Sequence, residues 1–358
     1  MRRIDAARDD GREGQEGARA KRHRAGDESV QSAKSGHHGE GVHDITCGPP
    51  MPARRRGPEP PTRAPRPSLQ AARAVARGGV PPAAVGVCGR GVLGVLQARR
   101  KRFFADVATA EGAHVVAHCP NTGRLAGLLQ PGATVVLQDR AAPRRALRYT
   151  WVLVQSRPDP QAEPAWVAIE SGIAPTLVEQ AIVAGVLPGL AGFAFQHREL
   201  AYGPPSWGRD PRASRSRIDL VGSDDDRGCT AGLLHTGGGD ARSVWTEVKA
   251  TTLRVDRAGV RVGAFPDAPT VRGQRQLEDL EGVVDRGQRA AVVFAVMRED
   301  VDAFAPADDV DPAYGRALRR AQARGVELHA VAARITTTAE RGGLAFAIAL
   351  TRPLPLWL

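Results

Sequence analysis

"SRSRIDLVG", residues 214–222, and "VWTEVKATT", residues 244–252, decide how this chain is read. Both have the β-branched, alternating texture of strands. In a strand, residues two apart point to the same face. Glu247 and Lys249 therefore share a face, and Val248 turns to the other, toward a core. An antiparallel partner carrying Ile218, Asp219 and Leu220 would set Asp219 beside Glu247. Two ionised carboxylates at that spacing repel. A divalent ion such as Mg2+, or Mn2+, relieves the repulsion, because it favours a few carboxylate oxygens plus water. It also acidifies a bound water and offsets phosphate charge. Lys249 could orient that water or stabilise developing charge. Phosphodiester hydrolysis needs this combination. An ordinary half-exposed strand with a Glu247–Lys249 ion pair has the same local pattern, so the three residues alone leave both readings open.

The surroundings of the two strands favour an α/β layer. "APTLVEQAIVAGVL" (174–187) has helical spacing, with Leu177, Ala181 and Ile182 on one face. "TVRGQRQLEDLEGVVDRG" (270–287) reads as a helix stopped by Gly287. "RAAVVFAVM" (289–297) is a continuous apolar run, as expected of a strand covered on both sides. Asp311 and Pro312 open another helix as cap and first residue, and it runs to Gly325. "GVELHAVAARIT" and "GLAFAIALT" are closing strands. Alternation on this scale gives an α/β domain over residues 161–358. The 23 residues between Val221 and Trp245 are rich in Gly and Asp and read as a long hairpin loop.

Upstream, residues 89–160 have a different texture. "GVLGVLQARRKRFFADVAT" alternates like a strand with a basic middle, followed by "HVVAHCP", "ATVVLQD" and "RYTWVLVQS". Short strands separated by Gly, Pro and Asn turns suggest a small barrel. "CPNTGRLAGLLQPG" (119–132) reads as a turn, a short helical stretch and a Pro-Gly turn. The overall expectation is α+β: a small barrel, then an α/β domain.

The chain has 358 residues and a formal charge of +11. Residues 1–102 hold 21 Lys/Arg against 10 Asp/Glu, and residues 103–358 hold 29 of each. The excess is therefore confined to the N-terminal part, and any DNA contact by the folded part depends on local patches. Residues 1–88 are rich in Arg, Gly and Pro, nearly lack aromatic residues and show no period, so they read as a disordered basic tail. That tail could contact phosphates, or be a non-functional extension. The four cysteines form no CxxC pair and do not suggest zinc. They fit a reducing cytosol. No run reaches the roughly 18 apolar residues of a membrane helix.

Taken together, "RKRFFADV" (100–107), "HCPNTGRL" (118–125), "YTW" (149–151), "SRIDL" (216–220), "TEVKATTL" (246–253), "AFPDAPTVRGQRQLEDL" (264–280) and "RGVELHAV" (324–331) resemble the sugar fermentation stimulation protein A family of bacterial proteins. The resemblance covers about residues 95–358. It implies an OB-like barrel joined to a PD-(D/E)XK nuclease-like domain, DNA binding, and a link to sugar utilisation. It puts Asp219, Glu247 and Lys249 on the PD-(D/E)XK positions, and Glu199 at a recurrent acidic position before "YG". Glu170, Pro175 and Gln180 stand where the family usually has Asn and Glu, and Gln276 stands where a His is common.

Two basic clusters are candidate DNA contacts. Arg100, Lys101 and Arg102 precede Phe103 and Phe104, and OB-type barrels bind single strands by charge and base stacking. Alternation would turn at least one Phe inward. Arg209, Arg212, Arg215 and Arg217 lead into Asp219 and could track a phosphate backbone, or form a mobile basic loop. His118, Asn121 and Arg124 share a turn without an evident third catalytic partner. "GRGVLG" is followed by a strand-like run, so it is not a dinucleotide fingerprint. The sequence thus expects a cytoplasmic DNA-binding protein, largely indifferent to DNA sequence. The alternative is a Mg2+-dependent deoxyribonuclease acting at Asp219, Glu247 and Lys249, with Glu199 as a further metal ligand. A sugar-sensing module would need aromatic platforms, and the aromatic content is only 4%.

Overall fold

The computed structural model describes residues 86–158, 161, 163–202, 216–224 and 242–358. The tail up to residue 85, and Arg209, Arg212 and Arg215, lie outside the described residues. Six strands come first: β1 (Val87–Arg100), β2 (Phe104–Thr109), β3 (His114–His118), β4 (Thr134–Asp139), β5 (Tyr149–Ser156) and β6 (Ala165–Ala168). β1 begins inside the segment that the sequence assigned to the tail. β1 pairs with both β2 and β4, β2 with β3, β3 in parallel with β5, and β5 with β4. The circuit closes and leaves no free edge within it. Leu96, Val107, Val135 and Trp151 fill the interior, all essentially inaccessible to solvent. β6 pairs with β5 and so extends this first sheet.

Two local expectations are corrected here. The basic run is not one strand: it breaks at residues 101–103, and Lys101 and Arg102 take left-handed φ values of 48° and 63°. The break resets the alternation. Ala105, fully buried, takes the first inward position of β2, while Phe104 is only half-buried and Phe103 is 46% exposed. Neither Phe belongs to the barrel's buried cluster. Residues 119–132 contain turns and no helix, with Gly127 and Gly132 at φ 79° and 90°.

The second part contains β7 (Phe195–Tyr202), β8 (Ser216–Ser223), β9 (Ser243–Thr251), β10 (Leu253–Arg257), β11 (Val260–Phe265), β12 (Arg289–Val296), β13 (Ala303–Pro306), β14 (Glu327–Glu340) and β15 (Gly343–Pro353). Its helices are α1 (Ala174–Val183), α2 (Val271–Val284) and α3 (Pro312–Ala323). The main sheet runs β15-β14-β12-β9-β8-β7, and β10, β11 and β13 form a separate small sheet. β12 lies parallel to both β9 and β14. Ala290 to Val296 are all fully buried, as the unbroken apolar run requires.

Helix positions follow from their caps and apolar stripes. α1 buries Leu177, Val178, Ala181 and Ile182 against one face of the sheet, with Leu220, Val244 and Val248. α2 and α3 cover the other face, where Leu277, Leu280, Tyr314 and Leu318 meet Trp245, Val292 and Phe294. Thr270 caps α2 by accepting from Gly273 N at 3.0 Å, and Gly287 (φ 75°) follows its end. Asp311 caps α3 by accepting from Tyr314 N at 2.9 Å. One strand joins the two parts: Val87 to Gly91 pair with β15, and the rest of β1 belongs to the barrel. Arg298, 2% exposed, reinforces the joint. It donates to Asp300, to Thr252 O and to Ser156 Oγ on β5.

Candidate active site at the fork of two strands

β8 and β9 are antiparallel, with Leu220 opposite Thr246 and Ser223 opposite Ser243. Beyond Leu220 the ladder stops. Asp219 uses its side chain there instead: Oδ2 accepts the Val248 backbone N–H at 2.7 Å. The carboxylate thus satisfies an amide that the fork would leave unpaired. The same geometry sets Asp219 next to the β9 segment carrying Glu247 and Lys249.

Glu247 is 4% exposed. Its Oε1 accepts from Lys249 Nζ at 2.8 Å and from Gln276 Nε2 at 2.6 Å. Lys249 Nζ also donates to Gln276 Oε1 at 2.6 Å. The three side chains close a ring of hydrogen bonds that fixes the ammonium. Glu247 Oε2 is buried and has no hydrogen-bond partner among the described residues. Burial, then the charge of Glu247, pushes the Asp219 carboxyl up to about 7, against the pull of the Val248 N–H and Lys249. Glu199 raises it further. Glu199 lies opposite Asp219, between the pairs Arg198–Leu220 and Leu200–Ile218, and is exposed at φ 57°. A left-handed non-glycine residue costs about 1–2 kcal/mol, and such strain clusters at functional positions.

The structure therefore brings Asp219, Glu247 and Lys249 to one fork, with Glu199 across the strand pair. Arg217 is exposed two residues before Asp219. Arg100, Lys101 and Arg102 stand apart, on the barrel's β1–β2 turn, and Arg100 is held by Asp106 at 2.6 Å. α1 adds no carboxylate to the cluster. It packs on the opposite face, Glu179 approaches Arg198 at 3.5 Å, and both oxygens of Glu170, just before α1, accept from Arg140. Sequence reasoning missed the part of Gln276 in fixing Lys249, and missed Tyr314 altogether. Tyr314 is fully buried, and burial, then the Glu247 charge, drives its hydroxyl pKa upward.

Among the described residues no group of three or more His, Cys, Asp or Glu side chains is arranged to hold a metal ion. Two carboxylates and water nevertheless suffice for Mg2+, which keeps several waters when bound. Glu247 Oε2 is buried and unpartnered, and the Asp219 carboxyl beside it is pushed up to about 7. The donor set fits a hard divalent ion.

Barrel and fork together define a class: an OB domain followed by an α/β domain with paired carboxylates on a forked strand pair. Family models agree in place and order. Residues 98–169 match the SfsA N-terminal OB domain, and residues 172–339 match the sugar fermentation stimulation protein RE domain. The sugar fermentation stimulation protein homolog of Thioalkalivibrio sulfidiphilus is 40% identical over 237 residues, covering 66% of this chain and 86% of that protein. The homolog of Chromohalobacter salexigens is 40% identical over 267 residues, 75% of this chain and 93% of that one. The chain belongs to the sugar fermentation stimulation protein family. Its fold also matches the structure of Pyrococcus furiosus SfsA in complex with Ca2+. The TM-score is 0.54 at 23% identity, covering 75% of this chain and 96% of that one. No helix among the described residues is long and apolar enough to cross a membrane.

Proposed function

We propose that the protein binds DNA, with little regard to its sequence, and that Asp219 and Glu247 take one divalent cation, Mg2+ or Mn2+, at the strand fork. The observation that carries the cation is Glu247 Oε2, buried and unpartnered in a site where the neighbouring carboxyl is pushed up to about 7. The archaeal relative, solved with Ca2+, supports a hard-cation chemistry for this fold. DNA as partner is supported by the OB barrel and by the cations on it and near the fork, with phosphate contact the sequence-independent part of binding. The family's name supports a link to sugar utilisation as the physiological context.

A second reading, phosphodiester hydrolysis, is favoured by one specific feature: Lys249 is retained and held by Glu247 and Gln276. A bound cation would acidify a water and offset phosphate charge. The chain's own contribution is to fix the Lys249 ammonium, place two carboxylates on one edge and keep Glu247 out of bulk solvent. Two measurements test these readings. Anisotropy titrations of duplex DNA at rising salt should show steep weakening and little preference among sequences. Incubation of plasmid with Mn2+ should give nicking that Lys249→Ala abolishes. No duplex binding at low salt rejects the first reading, and no nicking by the wild type rejects the second.

A further inference from the structure

The "CPNTGRL" loop, residues 119–125, lies outside the fork, yet it is held from several sides. From β1, Arg99 donates through Nη2 to Asn121 O at 2.6 Å and through Nη1 to Gly123 O at 2.9 Å. Its Nε donates to Arg102 O at 3.0 Å, in the β1–β2 turn. Asn121 is 9% exposed; its Oδ1 accepts from Gly123 N at 2.8 Å and its Nδ2 donates to Ile169 O at 2.9 Å. Leu125 is fully buried at a left-handed φ of 52°. A side chain stays in that conformation only where its surroundings impose it.

This barrel loop grips the α/β domain at the starts of two helices that cover opposite faces of its sheet. Ser171 Oγ, in the turn before α1, donates to Pro120 O at 3.2 Å. Leu125 N donates to Asp267 Oδ2 at 3.0 Å. Asp267 lies between β11 and α2, just ahead of the Thr270 cap. Its carboxylate fills the place a side chain on residue 123 would take: a Cβ added to Gly123 would lie 2.5 and 2.8 Å from the two oxygens. Glycine alone leaves that seat open. From Asp267 the chain enters α2, whose Thr270 N donates to Asp311 Oδ2 at 2.8 Å. Gln276, in the second turn of α2, binds both Lys249 Nζ and Glu247 Oε1. From the β1–β2 turn to Glu247, each step is a hydrogen bond or a short stretch of chain.

We propose that Asp267 is a positioning residue for the carboxylate fork. Seated on the barrel loop, it sets the start of α2 and, through Gln276, the alignment of Glu247 and Lys249. The barrel is then a working part of the fork's geometry and not an appended module. This deepens the cation reading and rests on it. Groups that orient metal ligands typically cost about 10–100-fold in metal affinity when removed. Gln276 touches the ligand Glu247, and Asp267 acts one step farther out, so its removal has the smaller effect.

The test uses the full chain, with Mn2+ titrated calorimetrically at pH 8 and circular dichroism melts to confirm that each variant is folded. Asp267→Ala should weaken Mn2+ binding about threefold to tenfold, below the loss for a group touching the ligand itself. Gly123→Ala removes no acidic group and only crowds the seat, and it should act in the same direction. Asp267→Asn keeps an oxygen for Leu125 N and should recover most of the loss. The effect must pass through Gln276. In a Gln276→Ala background, Asp267→Ala should change Mn2+ affinity by about twofold or less, because the two residues act in series. Unchanged affinity in both alanine variants, or losses that simply add in the double variant, overturn the proposal. Hydrogen exchange read by mass spectrometry gives a measure that needs no metal. Asp267→Ala and Gly123→Ala should speed exchange over residues 270–280 and leave the strand segment 289–297 unchanged, as local opening requires. Equal acceleration of both segments, or none, also overturns it. If the wild type takes up no Mn2+, the cation reading fails, a distinct outcome, and hydrogen exchange still decides whether Asp267 holds α2.

Discussion

The Val248 backbone N–H donates to Asp219 Oδ2 at 2.7 Å, at the point where β8 stops pairing with β9. A side chain thus takes the place of a ladder carbonyl. The carboxylate is positioned by main chain, and it is drawn into a partly buried place beside Glu247. The same bond that orders Asp219 also stabilises its ionised form, and burial opposes that more strongly.

A pH dependence follows. The Asp219 carboxyl lies near 7 when folded, against 3.8 for the free group. Between those values the folded protein holds a proton that the unfolded chain has lost. Its contribution therefore falls as pH rises from about 4 to about 7 and is flat above, with a slope of at most about 1.4 kcal/mol per pH unit. Thermal melts in EDTA should show Asp219→Asn gaining stability relative to wild type at pH 8 and not at pH 4, since the amide keeps an acceptor for Val248. A parallel pH profile for both proteins would contradict the assignment.

Cation linkage has the opposite sign. Divalent ions need both carboxylates ionised. Mn2+ should raise the melting temperature strongly at pH 8 and little at pH 5. Saturation at one hundred times the dissociation constant corresponds to about 2.7 kcal/mol. Isothermal titration should show one site in the wild type and weakened binding in Asp219→Asn and Glu247→Gln. Binding undiminished in both variants would place the cation elsewhere.

Much of this was legible in the sequence, for definite reasons. The apolar run 289–297 reads as a covered strand, and Asp311-Pro312 reads as a helix start, and both elements are there. The pairing of Asp219 with Glu247 and Lys249 came from period two and an assumed antiparallel partner, and the register between Leu220 and Thr246 has that form. What failed was local. Lys101 and Arg102 adopt left-handed conformations that their side chains do not announce, so the hairpin was hidden and the inward Phe misjudged. The end of the β8–β9 ladder is also silent, because a side chain capturing an amide across 29 positions leaves no periodic trace.

The joint between barrel and α/β domain gives a further expectation. Arg298 is 2% exposed and ties Asp300, Thr252 O and Ser156 Oγ together. Arg298→Met leaves two buried acceptors short of a donor, although Arg254 still pairs with Asp300 at 2.9 Å. A loss of about 2–4 kcal/mol is expected. Urea unfolding followed by tryptophan fluorescence, with Trp151 in the barrel and Trp245 in the α/β domain, should show one transition in wild type and separated transitions in the variant. A change below 0.5 kcal/mol with a single transition would mean that backbone contacts such as the shared strand β1 and the bond from Ala168 N to Met297 O couple the two parts without the Arg298 side chain.

The final expectation concerns the fixed ammonium. Lys249 and Glu247 form a nearly dry pair at 2.8 Å, with side chains 11% and 5% exposed. Removing one member of such a pair leaves the other charge uncompensated, at a cost of about 3–5 kcal/mol. Lys249→Met should therefore be strongly destabilised in EDTA at pH 8. Replacing both members relieves the penalty: Lys249→Met with Glu247→Gln should be more stable than Lys249→Met alone, because no unpaired carboxylate remains. A double-mutant cycle reads this as a coupling of at least about 1 kcal/mol, well above the few tenths seen for independent sites. Mn2+ supplies a second diagnostic. It should restore part of the stability of Lys249→Met, where a cation stands in for the lost charge, and none in the double variant, where Glu247 no longer carries a charge. Additive single effects, or equal rescue of both proteins by Mn2+, would show that Glu247 draws its stabilisation from Gln276 and not from Lys249.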